Sequence, residues 1–383
     1  MSYLADKFLL REDVVFLNHG SFGATPKPVF EYYQSLQRQL ESQPVAFLGR
    51  EFEARMQESR SILARYLGTT KENIVYLPNA TQAINTVARS LELGPGDQVL
   101  TSDHEYGAMD RLWRFLAKKH GFELKYQTIP LPLTSAAETA HAFLAGISRA
   151  TKVIFLSHIT STTSLLLPVD AICGKARELG ILTIIDGAHA PGQIALDLDN
   201  LGADFYAGNL HKWLCAPKGS GFLYARPDVQ DHLEPFILSW GWESDNPSTS
   251  AFIDHHEWQG TRDPAAYLAV PEAIQFFKEN NWGSVQSACH QLAIEVQKTV
   301  SELTLIPPLA DPEFFLQMVS FFLPPLEHET FQKHLYDEYQ IEVPIFSWKD
   351  KPVMRVSIQG YNDQSDINAL CDALGQLLPP ACN

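Results

Sequence analysis

Residues 152–186, KVIFLSHITSTTSLLLPVDAICGKARELGILTIID, decide the fold. Residues 152–157 and 181–185 are short apolar runs of strand formers, and 170–179 between them repeats apolar residues at helical spacing. Two strands joined by a helix need a crossover, which makes them parallel, and strands this apolar are covered on both faces.

The alternation continues outward. Upstream, 28–42 and 51–67 are predicted helices, and NIVYL at 73–77 is a strand. Residues 81–93 form an amphipathic helix closed by the GPGD turn at 94–97. A strand at 98–102, a helix at 107–120, an extended stretch at 122–129 and a helix at 135–148 follow. Downstream, 222–225 is another strand. From about Pro264 the pattern changes to helices at 271–279, 283–303, 329–339 and 364–377, with strands at 314–323 and 352–359.

The expectation is an α/β fold: a large domain over 21–264, its mainly parallel sheet covered by helices on both faces, and a smaller C-terminal α+β domain over 265–383. Residues 1–20 are expected to pack near the active site. No Ser/Gly-rich linker separates the halves, so rigid docking is expected.

Composition sets limits. With 45% hydrophobic and 19% charged residues, the 383-residue chain can bury a core. Lys+Arg is 29 and Asp+Glu is 45, a net charge of −16. Such a chain repels a polyphosphate backbone and an anionic membrane surface, so neither nucleic acid nor membrane is expected as a partner. Five widely spaced cysteines (Cys173, Cys215, Cys289, Cys371 and Cys382) contain no CxxC, which argues against a disulfide framework and a thiolate metal site. A reducing cytoplasm is the expected home. The opening MSYLADKFLLRED lacks the pattern of a secretory signal, and no apolar run approaches the ~18 residues of a membrane span.

Parallel sheets bind ligands beyond the carboxyl ends of their strands, so functional residues are sought there. In TIIDGAHAPGQ, Asp186 ends a strand and His189 follows. Asp186 reads either as a turn cap or as a buried carboxylate facing a ligand nitrogen. In FYAGNLHKWLCAPKGSGFLY, Lys212 stands between His211 and Trp213, either as a snorkelling surface lysine or as a desolvated, nucleophilic amine. Asn79, Ala80 and Thr81 of PNATQAIN precede a helix, whose N-terminal amides favour a phosphate. An amine for an aldehyde, an acid for a ring nitrogen and donors for a phosphate are what pyridoxal 5'-phosphate requires.

Here the sequence resembles the class V aminotransferases of the fold type I pyridoxal-phosphate enzymes, from NHGSFG at Asn18 to MRVSIQGYN at Met354. Within that family it resembles the isopenicillin N epimerase-like branch, with cysteine desulfurases, C–S lyases and kynureninase more distant. The resemblance implies Lys212 as the Schiff-base lysine, Asp186 as the acid under the ring nitrogen and His189 as the neighbour of the ring hydroxyl. It implies Ala80 and Thr81 as the phosphate-binding turn, and Asn209 and His211 as further phosphate contacts, although many relatives carry Ser at Asn209. Tyr106 of HEYGAM matches the ring that stacks on the cofactor, with His104 as the competing residue. Thr160 and Ser161 match a polar stretch near the ring oxygen. Arg355 matches the arginine for the substrate carboxylate. Thr261 of QGTRD matches a residue that reaches the phosphate of a neighbouring subunit, which implies a homodimer with a shared active site. Asn18, His19 and Ser21 lie in a loop read either as lining the substrate entrance or as a turn before a helix.

The implied function is an enzyme acting on an amino acid or amino-acid-like substrate, with Lys212 as general base at the α-carbon. Epimerisation, transamination and C–S cleavage share this constellation. No cysteine lies between Cys289 and Cys371, where the stretch from Ser320 is SFFLPPLE, so persulfide chemistry is not expected. His104, Tyr106 and His19 are the candidate proton donors on the second face. A cofactor-binding protein without turnover is the rival from another class, and Arg355 argues against it. A nucleotide-binding domain lacks both GxGxxG and GxxxxGK[ST].

Overall fold

A computed structural model describes residues 4–378, so Cys382 and the first three residues of the expected N-terminal segment lie outside the described residues. Seven strands build the central sheet: β1 (Ile74–Leu77), β2 (Gln98–Ser102), β3 (Glu123–Gln127), β4 (Thr151–Ser157), β5 (Leu182–Asp186), β6 (Phe205–Asn209) and β7 (Gly221–Ala225). Their order across the sheet is β1-β7-β6-β5-β4-β2-β3. Strands β6, β5, β4, β2 and β3 run parallel, and β7 runs antiparallel to both its neighbours.

Side chains alternate across each strand, so an all-apolar strand feeds two cores. In β4, Val153 and Phe155 enter one apolar cluster, and Ile154 and Leu156 enter the other. The first cluster is closed by helices Ala80–Ser90 and Gly107–His120, through Ile84, Val87, Leu112 and Trp113. The second is closed by Lys27–Ser42, Phe52–Tyr66 and Val169–Glu178, through Leu36, Leu63 and Ile172. That second cluster continues without a break into the C-terminal part of the chain. There a small antiparallel sheet in the order Ile345–Trp348, Lys351–Ser357, Met318–Phe322 is backed by helices Trp282–Thr304 and Gln364–Leu377.

Some elements differ from expectation. β6 carries no strand signal because Ala207 and Gly208 dilute its apolar run. The stretch expected as one strand at 314–323 is a short turn, Pro312–Phe314, followed by Met318–Phe322, because Pro312 opens a turn there. Ile345–Trp348 was also unread. The N-terminal segment is joined to the C-terminal part: Val15–Phe16 pairs in parallel with Ile341–Glu342, and Asn18 bridges to Ser357.

Candidate active site

The parallel strands end along one edge, and the sheet order fixes what meets there. Asp186 closes β5, Asn209 closes β6, and the loop after β6 brings Lys212 beside Asp186. The Lys212 amine lies 3.1 Å from Nε2 of His189, and the Trp213 indole N–H donates to Nδ1 of the same ring at 3.1 Å. Burial, and then the neighbouring Arg355, pull the Lys212 amine down to about 7, against the opposing pull of Asp186. An amine that is half deprotonated at neutral pH is a nucleophile. Asp186 is buried, and burial raises its carboxyl although the Ala188 N–H donates to Oδ1 at 2.9 Å and Lys212 lies near. His189 is held well below its ordinary value by burial and then by Lys212.

The helix Ala80–Ser90 points its N-terminus at the same edge. Asn79 caps it by accepting from the Gln82 N–H at 2.8 Å, and Asn209 Oδ1 accepts from the Ala80 N–H at 2.9 Å. The chain passes so close here that a Cβ on Gly221 would lie 2.8 Å from the Asn79 Cα. Thr81 is exposed, and no other group of the described residues engages its N–H or hydroxyl. Ala80 has therefore spent its amide on Asn209, and Thr81 carries the free donors. His211 donates from Nδ1 to the Ser220 carbonyl at 2.9 Å, which leaves Nε2 as its free nitrogen, and burial lowers the ring to about 4.

Arg355 forms the far wall from strand Lys351–Ser357. Its guanidinium is buried, donates to the Ser161 carbonyl at 2.8 Å and to Ser21 Oγ at 2.8 Å, and leaves Nε without a partner. No carboxylate among the described residues pairs with it. Burial lowers it to about 10, and the Tyr106 phenol acts on it in the opposite sense. A buried cation with an orphan donor is a seat for an anion. Ser21 passes the bond on to Asn18 Oδ1 at 2.6 Å, and Asn18 donates to Glu342 at 3.2 Å, so Asn18 supports Ser21 rather than facing Arg355 directly.

The three second-face candidates separate. His19 is fully buried, with Nδ1 on the Tyr361 hydroxyl and Nε2 on the Lys212 carbonyl, both at 3.0 Å, and burial drives it to about 3. It braces the lysine's backbone. His104 is buried against Trp348, with Nδ1 on Thr163 at 2.8 Å. Tyr106 alone presents an exposed ring, 47% accessible, on the side of Arg355. Thr160 spends its hydroxyl on Thr163 and the Leu165 N–H, both at 2.8 Å, so it holds its own loop together. Thr261 is exposed in the loop after helix Ala251–Glu257 and makes no hydrogen bond to Lys212, Asp186 or the Ala80 turn.

Three contributors escaped the sequence reading: Trp213, Ser157 and Glu105. Trp213 and Glu105 stand inside the motifs already quoted, and Ser157 ends a strand. Only the sheet order and the fold of the lysine loop bring them to the site.

Comparison with known proteins finds that the Aminotransferase class-V family model matches residues 17–370. Isopenicillin N epimerase of Streptomyces clavuligerus is 36% identical over 385 aligned positions, covering 97% of this chain and 96% of that protein. Hercynylcysteine sulfoxide lyase of Schizosaccharomyces pombe is 26% identical, covering 94% and 93%. Among solved structures, the cystine C–S lyase C-DES in complex with cysteine persulfide covers 96% of this chain and 99% of its own at 22% identity with a TM-score of 0.85, a likeness of fold.

Proposed function

The chain belongs to the class-V aminotransferase family, and from that premise we propose that it is a pyridoxal-phosphate enzyme that opens the α-carbon–hydrogen bond of an amino acid or amino-acid-like substrate. One observation carries the reading: a nucleophilic lysine, held by His189, faces a buried guanidinium that has no acid partner. The residues fit the cofactor. Thr81 offers free donors at a helix N-terminus for the phosphate, with Ala80, Asn209 and His211 building the turn around it. Asp186 would meet the ring nitrogen, and His189 would bring an imidazole to the ring hydroxyl. When bound, the cofactor supplies an aldehyde for amines and a protonated ring that accepts an electron pair.

The chain's own groups then divide the work. Arg355 holds the substrate carboxylate in its fork. Lys212 takes the α-proton at its amine. Tyr106 is the proton donor on the second face, since its ring is exposed on the side of Arg355, whereas His19 has both ring nitrogens committed and His104 is buried against Trp348. Return of a proton there inverts the α-carbon, which the epimerase relative favours. Loss of a β-substituent is the second reading, favoured by the same exposed phenol as an acid for a leaving sulfur. A thiol-based route has little support: burial raises Cys173 and Cys289 to about 12 and Cys371 to about 11, and raises Cys215 as well.

The enzyme works as a homodimer in which each Thr261 serves the neighbouring subunit's site. Leu238, Trp240 and Trp242 are exposed ahead of helix Ala251–Glu257 and would give the dimer an apolar contact. No helix among the described residues is long and apolar enough to cross a membrane, and the free cysteines suit a reducing cytoplasm. The boundaries proposed above, 21–264 and 265–383, divide the large domain from the small one.

The test is the absorbance of purified protein. A visible band that borohydride fixes onto Lys212 is expected, with a colourless Lys212→Ala variant. The same band in Lys212→Ala rejects the reading. A panel of amino acids scored for inverted stereocentre, keto acid and sulfide then separates the branches.

A further inference from the structure

Glu105 is a half-buried acid with no role in the chemistry proposed so far. It follows the end of β2 by three residues and reaches back over the strand ends. There Oε1 accepts from Ser102 Oγ and Oε2 from Ser157 Oγ, each at 2.5 Å. Ser157 is the register partner of Asp186. Across the edge, in the order β6, β5, β4, β2, the sheet therefore presents Lys212, Asp186, Ser157 and Glu105. Asp186 has a cation on one side and a second carboxyl on the other.

No lysine, arginine or histidine among the described residues pairs with Glu105. The packed elements supply Asp186, Lys212, Arg355 and Lys349, with Lys349 already bound to Asp103 at 2.5 Å. Its chain neighbours are Asp103, His104, which burial lowers to about 4, and Tyr106. Desolvation opposes ionisation of Glu105 most strongly, the two serine hydroxyls favour it, and the charge of Asp186 opposes it; the balance puts the carboxyl at about 7.

Resting on the pyridoxal-phosphate reading, we propose that Glu105 is the charge partner of Asp186: it holds a proton while the site is empty and releases it when a cationic ring nitrogen settles against Asp186. Two neighbouring desolvated carboxyls resist ionising together, and a cation held by one of them removes the obstacle. The O–H bond of the Glu105 carboxyl breaks, the proton passes to solvent, and no electrons change hands. Glu105 acts through Asp186 and is a positioning residue. Ligand binding is then linked to proton release and tightens as pH rises through about 7.

The experiment is calorimetry on the full chain freed of cofactor. The ligand is 4'-deoxypyridoxine phosphate, which lacks the aldehyde and so leaves Lys212 uncondensed. Titrations near pH 7 in buffers of different protonation enthalpy count the protons released. Wild type is expected to release roughly half a proton per site more than Glu105→Gln. Equal counts overturn the proposal. Should Glu105→Gln fold poorly, Ser157→Ala removes one donor to the ionised carboxylate and moves the release midpoint to higher pH; an unmoved midpoint is equally fatal. If neither protein binds the analogue, the cofactor reading fails, and Glu105 is judged separately by infrared spectroscopy of the ligand-free chain. A protonated-carboxyl band that titrates near neutrality and is missing in Glu105→Gln supports the proposal, and no such band in wild type rejects it.

Discussion

The indole N–H of Trp213 donates to Nδ1 of His189, and the opposite nitrogen of that ring lies 3.1 Å from the Lys212 amine. An indole only donates, so Nδ1 carries no proton and the neutral ring holds its proton on Nε2. An N–H pointed at an amine needs a lone pair there, so the indole favours the unprotonated lysine. Trp213→Phe frees the ring to present a lone pair instead, which favours the ammonium. The lysine's titration should move upward by less than one unit, the worth of about 1 kcal/mol in one hydrogen bond. The pH dependence of aldehyde capture by the ligand-free protein reads this, and an unshifted midpoint defeats the tautomer argument.

Arg355 separates binding from folding. Its burial without an acid partner costs stability, and its orphan Nε is the donor a substrate carboxylate takes up. Arg355→Met keeps the stem and removes the charge. It should raise KM for amino-acid substrates by roughly 10- to 100-fold, the worth of about 1.5–3 kcal/mol in hydrogen bonds to a charged group. The melting temperature should hold or rise. A clear fall in melting temperature with KM unchanged would make Arg355 a structural residue.

Local features are legible in the sequence, and features assembled from distant segments are not. β1, β2, β4, β5 and β7 were legible because each is an apolar run bounded by turn residues. β6, which delivers Lys212, was not, because FYAGN lacks the bulk of a buried strand. Asp186 and Lys212 could be read because each follows a strand or precedes a Gly-rich return. His19 looked like a lining residue of the substrate entrance, yet its ring spans from Tyr361 to the Lys212 carbonyl, a contact between residues 193 positions apart. Glu105 reaches Ser157, the register partner of Asp186, only because β4 lies between β2 and β5. Periodicity within a segment carries no information on that order.

The lysine also leaves a mark on stability. Its amine titrates at about 7 in the folded chain, below the ordinary value of 10.5. Between those values the unfolded chain holds a proton that the folded chain does not, so stability rises with pH across that window. Below about 7 the folded, ligand-free protein bears the full cost of the half-buried, desolvated ammonium. The raised thiols Cys173, Cys215, Cys289 and Cys371 act in the opposite direction above about 9, so the quantity to read is wild type minus Lys212→Met. Urea unfolding of ligand-free protein should show that difference climbing with pH, by at most about 1.4 kcal/mol per unit. A flat difference shows that the amine is solvated and titrates normally.

Gly23, the last residue of NHGSFG, sits at φ +70° and touches the lysine loop from below. A Cβ built there would lie 2.0 Å from the His211 carbonyl oxygen and 3.0 Å from the Lys212 Cα. Both contacts are backbone, so no rotamer change relieves them, and the positive φ adds strain of its own. Gly23→Ala must therefore push the loop carrying Lys212 away from His19, which holds the Lys212 carbonyl from the same N-terminal segment. A loss of about 2–4 kcal/mol is expected, in the range of overpacking combined with backbone strain. A stability loss alone would affect any buried glycine. Displacement of Lys212 also predicts slower borohydride trapping of cofactor in the fraction that remains folded. Folded Gly23→Ala that traps cofactor at the wild-type rate would show that the loop's position does not depend on this contact.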